Sequence, residues 1–376
     1  MTRGLSQDEQ SIGPLGLVGG SGLPFASYRW VVHADACPSL RMRGRHQMLT
    51  TVVGSWPAPP HLLEPLAQFH RGELGGEAAE ELLIETARVA IHEQRDCGLD
   101  EWTGGETWCD TLILHLPRRL TGIEIADPDG WGGRGTYRVI GPLGAPQGLG
   151  YAEAFRRERR IDPTLTKATV PGPSEVTMML GEPELRRGLR PVAIELVRRE
   201  IADLVEAGAT DIQLDLPHVA MGLADGGWTV IEAVNLVRRA FEGLAVARRS
   251  VHFLLWGFPS SFVDAESPAS AGCRGASESG WADRRAVVEL SLPEQWEEYH
   301  LLAAVPTSIE IAAGIVDVKA QQVQAAAEIA ARLHEVREAL PNHRLLVCPS
   351  CGLGRREHDL VVRKCREMVA AAKASV

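Results

Sequence analysis

The sequence predicts an α/β fold, a (β/α)8 TIM barrel with an N-terminal extension, and three observations predict it. From Met48 to the C-terminus, short apolar runs of strand length alternate with longer amphipathic runs of helical period. Eight strands can be counted, the number that closes a barrel of parallel strands. Several strands also end on a polar residue, as in Val53-Gly54-Ser55, Leu214-Asp215-Leu216-Pro217, Val288-Glu289-Leu290-Ser291 and Val347-Cys348-Pro349-Ser350-Cys351-Gly352. In a parallel barrel those ends form one rim, where active sites are built. A doubly wound open sheet would alternate too, but no Gly-x-Gly-x-x-Gly follows the first strand and opens a helix.

The elements follow in order. A strand over 51–55 precedes a long amphipathic helix over 77–96, and a second strand is expected over 100–104. Further strands are expected over 167–170, 211–215, 251–256, 286–290, 308–313 and 344–348, with helices over 191–207, 229–244 and 321–339 between them. A Ser-, Ala- and Gly-rich stretch over 259–283 has the composition of a rim loop, either a lid or an idle surface loop. Residues 1–47 carry no sustained period and form a peripheral extension, read either as a surface arm or as an over-long gene start ahead of Met42 or Met48. Residues 48–376 form the barrel.

Bulk properties narrow the function classes. A chain of 376 residues with net charge −10 lacks the basic surface that phosphate recognition needs, so nucleic acid is excluded as a general partner. No apolar run approaches the ~18 residues of a membrane helix, and the N-terminus lacks the order of a signal peptide, so a cytoplasmic protein without a membrane partner is expected. Seven scattered cysteines, an odd number, fit thiols or metal ligands rather than a disulfide framework.

Three residues stand out for metal chemistry. His252 lies on an apolar strand, where the ordinary reading is a hydrogen-bonded core histidine. Glu289 lies within a buried strand pattern, where a carboxylate is costly unless paired or ligated. Cys351 sits between a turn and a glycine, where a small buried hydrophobe is the plain alternative. Together they offer the N, O and S donors that suit a catalytic Zn2+ with one open position.

Six segments, in order, resemble the cobalamin-independent methionine synthase family. They are Thr51-Val52-Val53-Gly54-Ser55-Trp56-Pro57, Gly104-Gly105-Glu106, Val170-Pro171-Gly172-Pro173, Ile212-Gln213-Leu214-Asp215-Leu216-Pro217, Val316-Asp317-Val318-Lys319 and Cys348-Pro349-Ser350-Cys351-Gly352. The chain is similar to the short members that carry the C-terminal catalytic barrel alone. The resemblance implies a zinc-dependent methyltransferase of methionine biosynthesis, with a methyl group passing from a folate or corrinoid carrier to a thiol such as homocysteine. It implies His252, Glu289 and Cys351 as zinc ligands. It also implies Ser55, in the turn with Gly54, for the amino acid carboxylate, and Glu106 and Asp215 for the ammonium group. Asp317 and Lys319, at the end of strand seven, are catalytic candidates for protonating the leaving nitrogen, beside the plain reading of a rim ion pair.

Departures from the family pattern are equally specific. Where the family has His-x-Cys, this chain has His252-Phe253-Leu254. Three explanations stand: a three-ligand site, substitution by Cys348, or loss of the metal. Asp215-Leu216-Pro217 replaces Asp-Glu-Pro, Phe258 replaces an Asn, and Met178 or Met179 stands where folate users often carry an aromatic. The donor is thus folate or another carrier, and Trp56, Trp102, Trp108 and Trp256 are core residues or stacking platforms for it. Thiol transfer to another electrophile such as an epoxide, and a metal-free barrel that binds an amino acid, are the alternatives.

Overall fold

The computed structural model describes residues 48–111, 114–127, 135–181, 183–217, 230–254, 284–289 and 307–375, with side chains described for most of these. Arg43–Val376 form one compact unit, and the other unit, Met1–Met42, lies outside the described residues. So do the loop over 259–283, Trp256 and Phe258.

The strands are β1 (Leu49–Thr50), β2 (Thr121–Asp127), β3 (Thr136–Gly144), β4 (Lys167–Pro171), β5 (Asp211–Asp215), β6 (Arg248–Leu254), β7 (Arg284–Glu289), β8 (Ile309–Val316) and β9 (Leu345–Pro349). The helices are α1 (Pro60–His70), α2 (Gly76–Asp96), α3 (Tyr151–Ile161), α4 (Pro173–Thr177), α5 (Pro183–Glu206), α6 (Val230–Phe241), α7 (Ala326–Ala339) and α8 (His358–Ala374). Seven strands make one parallel sheet in the order β1-β9-β8-β7-β6-β5-β4.

Side chains alternate across this sheet with period two. On β4 and β5, Ala168, Val170, Ile212 and Leu214 pack in the apolar cluster that includes Val197, Ile201 and Leu204 of α5. Burying each of these branched side chains contributes about 1.5–3 kcal/mol. The opposite face carries Lys167, Thr169, Gln213, Asp215, Ser250 and His252, all buried. On β8 and β9 that inner face turns apolar, with Val53, Ala312, Leu346 and Cys348 in one small cluster. Ile311, Ala313 and Val347 face outward onto α7 and α8.

The expected second strand is corrected: residues 100–104 form no strand among the described residues. Gly105 has φ +84° and Glu106 φ +55°, and two successive left-handed residues break a ladder. The segment still runs beside β1. Asp100 N donates to Thr50 O at 3.2 Å, Glu101 N to the same oxygen at 3.1 Å, and Trp56 N to Gly105 O at 2.8 Å. A further addition is the antiparallel hairpin β2–β3, tied to the turn after α4 through Tyr137 N to Met179 O at 3.0 Å.

Among the described residues the sheet is not a closed ladder, and β1 and β4 are its two edges. Side chains join them. Lys167 Nζ donates to Thr51 Oγ1 at 3.1 Å and to Val52 O. Gln213 Nε2 donates to Val53 O at 2.7 Å. At the N-terminal ends of the strands, Arg248 of β6 bonds Glu101 at 2.9 Å and lies 3.8 Å from Glu310 of β8. No described helix is long and apolar enough to cross a membrane.

Candidate active site

Glu106 is placed by an unusual backbone. Two glycines precede it, and its own left-handed φ of +55° is a strained conformation of the kind held in place at functional sites. The turn swings its carboxylate under Gly54, where a Cβ would lie 2.2 Å from Oε1. Thr169 Oγ1 donates to that same oxygen. Burial pushes the Glu106 carboxyl up to about 7 and the charge of Asp215 adds to this, while the Thr169 bond, His252 and Lys167 act the other way. Glu158 of α3, which the sequence did not single out, is likewise pushed up to about 7, chiefly by burial, with Glu106 contributing. Its carboxyl occupies the space where Gly104 would carry a side chain. Glu106, Glu158, Trp108, Tyr151 and Thr169 line a cavity of about 20 Å3. That is room for about one water-sized group.

Ser55 is placed by two loops at once. Gly354 N donates to Ser55 Oγ at 3.1 Å, and Leu353 N donates to Ser55 O at 3.2 Å. The turn at the end of the β1 segment is therefore sewn to the turn that carries Cys351. Since Ser55 Oγ accepts from Gly354 N, its own O–H is left to donate, as an anion such as a carboxylate requires.

Asp215 ends β5 and pairs in register with His252 of β6. His252 Nδ1 lies 3.1 Å from Asp215 Oδ1, and Gln213 Nε2 donates to the same oxygen at 2.7 Å. His252 Nε2 is buried and has no hydrogen-bond partner among the described residues. A carboxylate on one ring nitrogen and a vacant second nitrogen is how metal-binding histidines are arranged.

Register sets out the remaining donors. Leu254 of β6 pairs with Glu289 of β7, Glu289 with Gly314 of β8, and Gly314 with Cys348 of β9. Position 289 is thus level with Cys348, two strands away with a glycine between. Cys348 is fully buried on the inner face, and Cys351, three residues on, is half-buried beyond the strand end. Both are thiols, as are Cys97, Cys109 and Cys365. Among the described residues no three His, Cys, Asp or Glu stand close enough to hold a metal, and the side chains of Leu254 and Glu289 lie outside the description. The donors fit zinc in kind, with nitrogen at His252 and sulfur at the end of β9.

The other candidates lie further out. Asp317, just past β8, accepts from its own turn, with Lys319 N at 2.7 Å and Ala320 N at 3.2 Å on Oδ1. Lys319 is exposed. Trp56 is 2% exposed and donates from Nε1 to Glu93 at 2.8 Å. Trp102 donates to Asp162 at 3.1 Å beneath the Arg95 guanidinium. Trp108 packs edge-on against His115 and Tyr151 beside the Glu106 cavity. Sequence reading missed Lys167, Thr169, Gln213 and Glu158. The alternation Lys167-x-Thr169 and Asp211-x-Gln213-x-Asp215 carried a signal for the first three, a polar inner face.

Comparison with known proteins adds an independent line. A family model described as "Cobalamin-independent synthase, Catalytic domain" matches residues 48–252 and 287–374. A methionine synthase of Saccharolobus solfataricus is 25% identical over 334 residues, covering 86% of this chain and 93% of that relative. One from Sulfurisphaera tokodaii is 24% identical over 337 residues, covering 86% and 91%. Among solved structures, a B12-independent methionine synthase from Shewanella sp. W3-18-1 in complex with selenomethionine superposes with TM-score 0.68 at 21% identity, over 87% of this chain and 97% of that one. A methyltransferase from Methanosarcina mazei gives 0.54 at 14%, over 89% and 96%.

Proposed function

Because this chain belongs to the cobalamin-independent methionine synthase family, we propose that it transfers a methyl group from a folate or other methyl carrier to the thiol of homocysteine, giving methionine. The observation that carries the reading is His252, whose Nδ1 meets Asp215 at 3.1 Å while its buried Nε2 is vacant among the described residues. In this reading His252, Glu289 and Cys351 hold zinc, with Cys348 as the reserve thiolate. Zinc, when bound, supplies the positive charge that keeps a thiol deprotonated at neutral pH.

The chain's own residues divide the remaining work. Glu106 and Asp215 receive the substrate ammonium, and the Gly54-Ser55 turn receives its carboxylate. A buried carboxyl held near 7 gives up its proton when a cation arrives, so ammonium binding restores the charge on Glu106. The thiolate sulfur attacks the methyl carbon, the bond to the carrier breaks, and the electron pair leaves with the carrier, which then takes a proton. Lys319, exposed at the end of β8, is the proposed source of that proton, with Asp317 shaping its turn.

We also propose that residues 48–376 form a closed (β/α)8 barrel in a cytoplasmic enzyme, with residues 1–47 as an extension. The side chains that join β1 to β4 and the Glu101–Arg248–Glu310 cluster support closure. The Leu at position 254 favours one second reading, a metal-free barrel that binds an amino acid.

The deciding experiment measures zinc per chain in the parent and in Cys351→Ser, then methionine formation from homocysteine with methyltetrahydrofolate or a methylcorrinoid. Near one zinc in the parent, little in the variant, and turnover with one donor are expected. Zinc-free parent protein, even after incubation with the metal, would sink the mechanism and leave the second reading.

A further inference from the structure

We infer that Glu93, on α2, is a positioning residue that locks the turn Gly54-Ser55-Trp56 to the turn Cys351-Gly352-Leu353-Gly354. The inference rests on the roles proposed above for those turns, carboxylate binding for the first and thiolate donation for the second.

The two turns meet directly through Gly354 N on Ser55 Oγ at 3.1 Å and Leu353 N on Ser55 O at 3.2 Å. Two amide bonds near a solvent-facing rim open readily unless their loops are held from behind. Glu93 stands behind both. Its Oε2 accepts the indole N–H of Trp56 at 2.8 Å, and its two oxygens lie 2.9 Å from His358 Nε2. His358 is the first residue of α8, the helix that the Cys351 turn feeds. Its other nitrogen lies 3.0 Å from Asp359 Oδ1, and the two carboxylates raise its pKa against the opposing effect of burial.

A closed path therefore runs from Ser55 through Trp56, Glu93 and His358 and back along the chain to Gly354, which bonds Ser55. The carboxylate accepts from Trp56 through Oε2 and offers both oxygens to His358 Nε2, a charge-assisted pairing with an imidazolium that an amide would weaken. The next residue extends the arrangement. Gln94 Nε2 donates to Thr103 O at 2.9 Å and Gln94 Oε1 accepts from Thr103 N at 3.1 Å, fixing the segment that turns Glu106 inward. One turn of α2 thus holds three pieces of the site, none of which touches another along the sequence.

The test uses the full-length protein and the variants Glu93→Gln, Trp56→Phe and His358→Asn. Hydrogen exchange at the Leu353 and Gly354 amides is read without ligand, and methionine and zinc affinities are read by calorimetry and chelator competition. Glu93→Gln is expected to speed exchange at both amides about tenfold and to weaken methionine and zinc together by about tenfold. Unchanged exchange overturns the lock. Faster exchange with either affinity unchanged overturns the positioning role. Should the Glu93 variant fail to fold, the Trp56 and His358 variants each remove one donor and decide the matter alike. If the parent binds neither methionine nor zinc, the proposed function fails while the exchange result still decides the lock.

Discussion

His252 Nδ1 stands 3.1 Å from Asp215 Oδ1 across the β5–β6 ladder, and this contact fixes the ring so that its second nitrogen points away from any other described partner. In the proposed function Asp215 thereby serves two ends, orienting the zinc ligand His252 and receiving the substrate ammonium. Asp215→Asn keeps an acceptor but loses the charge, so zinc affinity should fall about tenfold and Asp215→Ala should cost about a hundredfold. Competition against a chromogenic chelator measures both. An Asn variant that holds zinc as tightly as the parent counts against the pairing.

Leu254 is the mutable counterpart. It shares a ladder row with Glu289 and lies two residues along the strand from His252. Leu254→Cys should raise zinc affinity and methyl transfer together, read as chelator competition and turnover on the same preparation. Tighter zinc with no gain in turnover would separate metal binding from the reaction.

Gly54 has no room for a methyl group, since a Cβ there would come within 2.2 Å of Glu106 Oε1 and 3.0 Å of Thr169 Cγ2. Gly54→Ala must push the Glu106 carboxylate aside. Methionine affinity should drop at least about tenfold, with a stability loss of about 1–3 kcal/mol by denaturant titration. Unchanged affinity would remove Glu106 from the pocket.

Glu106 and Glu158 have folded pKa values of about 7, above their unfolded values, so their protonated forms favour the folded state. Their contribution is complete below the unfolded pKa and is lost as pH rises toward and through about 7. His115 acts oppositely. Burial lowers it to about 4, so its contribution is present above its unfolded pKa and is lost as pH falls from there toward about 4. Above pH 6.5, where His115 adds little slope, ligand-free protein should thus lose stability up to pH 8, and Glu158→Gln should flatten that loss by an amount on the order of 1 kcal/mol. Thermal melts across that range report it, and an unchanged slope in the variant would contradict the assignment.

Lys167 joins the two edges of the sheet. Lys167→Met keeps the stem but leaves Val52 O without this donor, at an expected cost of about 1–3 kcal/mol. Urea titration measures it. A neutral result would mean that the seam needs no ammonium.

Sequence and structure agree best where the signal was local. The strand over 211–215 and the long helix ending at Asp96 were legible because a period of two or 3.6 is written into consecutive residues. The expected strand over 100–104 failed for a local reason, since Gly105 and Glu106 adopt left-handed φ values. The hairpin β2–β3 alternates at Ile123-x-Ile125 and Tyr137-x-Val139, but no helix separates its strands, so it stands outside the strand–helix alternation that marks the rest of the fold. Residue types at the site were legible through their motifs. Their partners were not: Glu93 joins Trp56 and His358 over separations of 37 and 265 residues, and no pattern in the chain records such contacts.

The seam between β1 and β4 also bears on how the protein behaves in a crowded solution. A bare edge strand offers unpaired amides and carbonyls to any neighbouring chain and is a template for aggregation. Here the Val52 and Val53 carbonyls accept from Lys167 and Gln213, the Thr50 carbonyl accepts from Asp100 and Glu101, and the other flank of β1 lies against β9. Among the described residues these three carbonyls are already engaged, and one of the guards is the amine of a buried lysine. The buried lysine that holds the two edges together thus also covers an acceptor that a foreign strand would otherwise seek.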